Sequence, residues 1–187
     1  MNEFEGIPDE LVRKIEASRH RVIETIGKNM DLYGVTLSVG HLYGYMYFRN
    51  EPATLDEMSE TMGMSKTSMS TGMRTLVDMK MIQKVWGRGS RKDLYEAEQD
   101  WHQTFIDYFA IRWRKSLEMN TNALKRSLKE IEALQREMSE SDNEKLKRLL
   151  EIDAHKIREG IKYYRWLGRL IDTFESGEIF DLVPREE

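Results

Sequence analysis

The chain contains no cysteine in its 187 residues. Disulfide frameworks, thiolate zinc sites and cysteine nucleophiles are thereby excluded together, and a reducing cytoplasm fits. No stretch approaches the ~20 apolar residues of a membrane-spanning helix. The N-terminus MNEFEGIPDE is acidic where a secretory signal is basic and then apolar. Neither membrane insertion nor export is expected. No Ser-x-x-Lys is present to supply an acyl-transfer nucleophile, so SDN at Ser141–Asn143 reads as a helix cap and KTS at Lys66–Ser68 as a helix start. Phosphate-binding glycine loops of the P-loop and dinucleotide types are also missing. His20, His41, His102 and His155 form no i, i+4 pair and have no thiolate companions. No metal site, cofactor or catalytic residue is expected, and the chain does not read as an enzyme.

What is present is a soluble composition with an uneven charge. At 33% charged and 40% hydrophobic the chain can bury the core of one domain, or of two closely joined. Between Met64 and Lys92 lie Lys66, Arg74, Lys80, Lys84, Arg88, Arg91 and Lys92 against Asp78, an excess of six positive charges. Since the whole chain carries −4, everything outside that segment carries −10. Such asymmetry marks a surface that meets a polyanion.

Periodicity predicts helices nearly throughout. Leu11, Ile15, Val22, Ile26 and Met30 recur at spacings of four and seven, a one-faced helix from Asp9 to Met30. A second helix runs from Ser38 to Phe48, and a third from Leu55 to Gly63 behind a capping box of Thr54 and Glu57. A fourth begins after the N-cap Ser65 and reaches Met79. At 100° per residue it turns Met69, Met73, Leu76 and Val77 to one side and Thr67, Thr71, Arg74 and Asp78 to the other. IQKVW and DLYEA then read as strands joined by GRGSRK, and MKMI must make the preceding turn without a glycine. From Glu98 to Met138 a long helix carries Leu117, Leu124, Ile131 and Met138 every seven residues, with Leu128 and Leu134 in the same stripe. A capping box of Ser141 and Glu144 starts the last helix.

The fold class expected is mainly α: a winged helix-turn-helix, with a three-helix core and a two-stranded wing, followed by a long C-terminal helical hairpin. Residues 1–37 form an N-terminal helix contributing to dimerisation, 38–97 the DNA-binding domain and 98–187 the C-terminal dimerisation region. The apolar surface of the long helices exceeds the needs of one small domain, so a homodimer is expected. In this arrangement the fourth helix enters the major groove and the wing reaches the backbone or minor groove. Arg74 is the candidate for bidentate contact to guanine, and Ser65, Thr67, Ser68, Ser70 and Thr71 can bond bases or phosphates. Lys66, Arg88, Arg91 and Lys92 are the candidate phosphate contacts.

The run from PATLDEMSE through SKTSMSTGMRTL to WGRGSRKDLYEA resembles the winged-helix core of MarR-like bacterial transcriptional regulators, most closely their GbsR-type branch. YGVTLSVGHLYGYMYF ahead of it is similar to the same branch. The resemblance implies a homodimeric repressor on double-stranded operator DNA, released by choline and controlling uptake or synthesis of the osmoprotectant glycine betaine. A quaternary ammonium is held by the faces of aromatic rings. The candidate cage residues are Tyr43, Tyr47, Trp101, Phe105, Tyr108 and Trp113; read by spacing alone, the same rings are core. Three other readings remain open from sequence: a winged helix that contacts proteins, a regulator answering an unrelated ligand, and a binding protein or enzyme whose purpose is the aromatic pocket.

Overall fold

The fold is that of a computed structural model, described over residues 4–86, 92–140 and 142–186. Two compact units divide the chain at residue 108.

In the first unit, α1 (Asp9–Asn29) starts after Pro8, whose missing N–H costs nothing at a helix entrance. It runs into a 3-10 turn (Met30–Tyr33) that Gly34 ends at φ 72°. Then come α2 (Leu37–Tyr47), β1 (Ala53–Thr54), α3 (Leu55–Met62), α4 (Lys66–Asp78), β2 (Ile82–Val85) and β3 (Leu94–Ala97). The expected capping box opens α3: Thr54 Oγ1 accepts from Glu57 N at 3.2 Å, and Glu57 Oε2 accepts from Thr54 N at 2.7 Å. A left-handed Gly63 closes it. Ser65 caps α4 by accepting from Ser68 N at 3.2 Å. Met69, Met73 and Leu76 are buried as the helical wheel predicts.

The turn after α4 is managed by Lys80 at φ 56°. Its N–H donates to Val77 O, and that of Met81 to Leu76 O, each at 2.9 Å. This is the double closure that usually places a glycine in Lys80's position. Lys80 Nζ also pairs with Asp107 at 3.0 Å.

One expectation is extended and one needs correction. The two expected wing strands pair as β2 and β3, and a third strand joins them in an antiparallel sheet of order β1-β3-β2. β1 pairs Ala53 with Tyr95 and Thr54 with Leu94; a two-residue strand is too short to show alternation in sequence. The buried side of α1 is Ile23, Gly27 and, just beyond its end, Met30, whereas Leu11, Ile15 and Val22 stay exposed. The reason is a close crossing with α2. A Cβ on Gly40 would meet the Gly27 backbone at 2.8 Å, and one on Gly44 would meet Ile23 Cα at 3.1 Å. On the rest of α2, Leu42, Tyr43 and Met46 enter a core with Met58, Met69, Met73, Leu76, Met81, Ile82 and Tyr95.

The second unit is a helical hairpin of α5 (Trp101–Glu137), of which residues 109 onward belong here, and α6 (Glu144–Ser176), with a final turn α7 (Ile179–Leu182). Ala110, Leu167 and Ile171 are its buried centre. The seven-residue stripe seats on α6, since Leu117 lies against Gly168 and Leu124 against Gly160, each 3.2 Å from where a Cβ would stand. Leu134, expected in that stripe, is exposed. Arg114 pairs with Asp172 and Glu175, and Arg158 with Glu132. The N-cap of α6 is Asn143, accepting from Leu146 N at 3.0 Å. Ser141, the expected cap, lies outside the described residues; a helix starting at Glu144 is out of register for it.

Gly40→Ala should destabilise the first unit by about 1–3 kcal/mol, because the added methyl meets backbone that cannot rotate away. Urea unfolding checks this, with Gly6→Ala as the control for a glycine that has open space around it but a positive φ of 82°.

Candidate nucleic-acid interface and aromatic cluster

On α4 the residues Lys66, Thr67, Ser68, Thr71, Arg74 and Asp78 are exposed, and Ser70 is half-buried. Several hydroxyls already have local partners. Ser65 Oγ donates to Ser68 Oγ at 3.0 Å, while Thr71 donates to Thr67 O and Thr75 to Thr71 O, both at 3.0 Å. Ser65, Thr67, Ser68 and Thr71 are exposed, so their remaining lone pairs can still accept. Arg74 has no ion pair among the described residues. Arg88 and Arg91 lie outside the described residues, and Lys92 stands at the entrance to β3.

Sequence reasoning missed Asp56. Its carboxylate, in the first turn of α3, binds Lys66 Nζ at 2.7 Å and Lys92 Nζ at 2.8 Å. One acid therefore ties the start of α4 to the wing. The two lysines hold Asp56 at a pKa of about 2, so it stays charged at any physiological pH. Lys84 is likewise paired, with Asp93 at 2.6 Å. Spacing gave no signal for Asp56, which is 36 residues from Lys92. Trp86 was also passed over; it is wholly exposed at the end of β2, and an aromatic residue beside a basic glycine loop was the available clue.

Of the six candidate cage rings, three come together. Tyr47 and Trp101 lie 4.8 Å apart between centroids and share a hydrogen bond from Trp101 Nε1 to Tyr47 Oη at 2.7 Å. Tyr43 meets Trp101 edge-on at 6.2 Å and Tyr47 at 6.3 Å. Tyr43 is buried, whereas Trp101 keeps 47% of its surface exposed, as does Phe105 one turn on. Tyr108 packs instead on Tyr33 at 4.4 Å, a partner the sequence reading did not name, and donates to Leu32 O. Trp113 belongs to the second unit, beside Phe109 at 5.9 Å.

The Tyr43 hydroxyl is buried and has no hydrogen bond among the described residues. Thr104 is near enough to favour its ionised form slightly, while the Thr104 hydroxyl donates to Asp100 O. Burial dominates and pushes the phenol up to about 12.

Two outcomes follow from these geometries. Asp56→Asn should tighten DNA binding roughly threefold to tenfold at low salt by removing a carboxylate that competes with phosphate for Lys66 and Lys92, measured by fluorescence anisotropy across a salt series. A tyrosine ionises near pH 10 when unfolded. Ionisation of Tyr43 therefore does not oppose folding below about pH 10, and stability falls as pH rises from there through about 12. Tyr43→Phe should flatten alkaline unfolding, and at neutral pH it should cost nothing or stabilise by up to about 1 kcal/mol by removing an unpaired buried group.

Residues 101–181 match the C-terminal helical hairpin of GbsR family transcriptional regulators. Over 173 residues the chain is 41% identical to the HTH-type transcriptional repressor OpcR of Bacillus subtilis (strain 168), spanning 91% of each chain. Over 175 residues it is 40% identical to the HTH-type transcriptional repressor GbsR of the same organism, spanning 92% of this chain and 94% of that one. A crystal structure of a transcriptional regulator, 15% identical, superposes with a TM-score of 0.53 over 86% of this chain and 98% of its own, a likeness of fold alone. With its helix-turn-helix, its small antiparallel sheet and its long hairpin, the chain belongs to the GbsR family of HTH-type transcriptional regulators.

Proposed function

We propose that the protein is a cytoplasmic repressor that grips a pseudo-palindromic operator as a homodimer and lets go on binding choline, so controlling genes for glycine betaine uptake or synthesis. The observation that carries the DNA part is the outward face of α4, short, polar and ending in Arg74, on a helix whose other side is locked into the core. Thr67, Ser70, Thr71 and Arg74 read bases; Ser65, Ser68, Lys66, Lys92, Arg88 and Arg91 position the protein on phosphates. Trp86 adds an apolar wedge beside the wing, suited to a minor groove.

Exposed Leu11, Ile15 and Val22 on α1, and Leu149, Ile152, Tyr163 and Trp166 on α6, support a second copy as their cover. The choline part is supported by the Tyr43, Tyr47 and Trp101 cluster. The open face of Trp101 receives the trimethylammonium, with Phe105 beside it. Release requires that choline bind the DNA-free form more tightly than the operator-bound form.

The test is a titration against DNA upstream of the protein's own gene and its neighbours, at fixed salt, with and without choline. Selective binding that weakens with choline supports the whole reading. Selective binding indifferent to choline keeps the operator and discards the cage, and absence of selective binding discards both. Arg74→Ala should weaken operator binding by about 1–3 kcal/mol and relax discrimination at one base pair. Trp101→Ala should leave operator affinity intact while raising the choline needed for release at least about tenfold.

A further inference from the structure

A cavity of about 610 Å³ lies in the first unit between α1, α2 and α3, and none of the α4 residues or cage rings assigned above lines it. Its size suits a small molecule. Its charge is unlike that of the chain: Arg13, Arg19 and Arg49 face it with Glu16 as the opposing acid, in a protein of net charge −4. His20, also on the wall, lies 3.9 Å from Glu24.

Arg49, just past the end of α2, is the informative group. Its Nε is buried and has no hydrogen-bond partner among the described residues. Glu57 is close enough for its charge to be felt there, but Glu57 Oε2 is occupied by the amide and hydroxyl of Thr54. A guanidinium that lines a cavity brings a planar fork of N–H donors to it, and a carboxylate is the acceptor that fork fits. Arg49 also borders a second cavity, of about 450 Å³, but Glu51, Glu96 and Glu98 line that space and repel an anion. The first cavity offers an apolar floor as well, from buried Ile23 and Met58, with the rings of Tyr45 and Phe48 beside it. Arg19 is held over Phe48 at 5.8 Å and over Phe4 at 5.2 Å.

We infer that this cavity binds a small organic anion, a carboxylate carried on an apolar body, with Arg49 receiving the carboxylate and Arg13 and Arg19 beside it. The site shares no lining residue with the aromatic cluster, though Phe48 meets Tyr47 edge-on at 5.6 Å, and it is opposite to that cluster in ligand charge. It does not depend on the choline reading.

The test is calorimetric titration of the full chain with sodium benzoate, sodium hexanoate and benzyl alcohol, with ionic strength fixed by sodium chloride. At least one carboxylate should bind saturably, and benzyl alcohol at least about tenfold more weakly. Arg49→Gln should lose about tenfold or more in carboxylate affinity. Ala17→Phe, which adds bulk at the cavity wall without removing a charge, should block binding. Circular dichroism establishes that each variant is folded. The inference is overturned if neither carboxylate saturates, if benzyl alcohol binds as well, or if folded Arg49→Gln binds unchanged. Should Arg49→Gln fail to fold, Ala17→Phe decides: carboxylate binding retained in its folded form overturns the inference equally. DNA is absent throughout, so failure here leaves the repressor reading untouched.

Discussion

The crossing of α1 and α2 at Gly27, Gly40 and Gly44 is the constraint on which the first unit rests. Where two helix backbones approach to contact, side chains are expelled from between them and the remaining faces are fixed in rotation. With Gly40 and Gly44 turned towards α1, Leu42, Tyr43 and Met46 have only one way to point, into the core that α4 and the sheet share. The presentation of α4's polar face, the placement of Tyr43 beside Trp101, and the cavity under Arg49 all derive from that orientation of α2.

On this scaffold the electrostatics are more economical than a count of lysines suggests. The basic segment looks like an open cationic surface, yet in the folded chain Lys66, Lys84 and Lys92 are all answered by carboxylates. A lysine tied to Asp56 has lost some of its rotamer freedom. Asp56 thus holds α4 and the wing in a fixed relation.

Much of this was legible in the sequence, and the exceptions have physical causes. Helix starts were readable wherever a side chain closes its own cap, as at Thr54 and Ser65, because that chemistry is local. The inward side of α4 was readable because its methionines and leucine obey one period. The orientation of α1 was not, since its apolar residues form one stripe that stays exposed and another, built on Gly27, that meets α2; hydrophobicity alone favours the first. Asp56, Tyr33 and β1 are meetings of distant segments, invisible to spacing. The aromatic set was legible as a list of rings but not as a partition: only the fold separates Tyr43, Tyr47 and Trp101 from Tyr108 and Trp113. Lys80 shows the reverse case, a conformational demand the sequence revealed by lacking the expected glycine.

The core around α2 is built to an unusual degree from thioethers: Met46, Met58, Met69, Met73 and Met81 are each at most 1% exposed, while Met119 on α5 stands open to solvent. Sulfur of this kind fills irregular space without demanding one shape. It is also oxidisable, and a sulfoxide in that core would place a polar oxygen where no donor waits. In a peroxide solution Met119 reports the intrinsic chemistry of an accessible sulfur, and the five buried ones react only when the helices part. Their oxidation, followed by mass, is therefore a clock for how often the first unit opens.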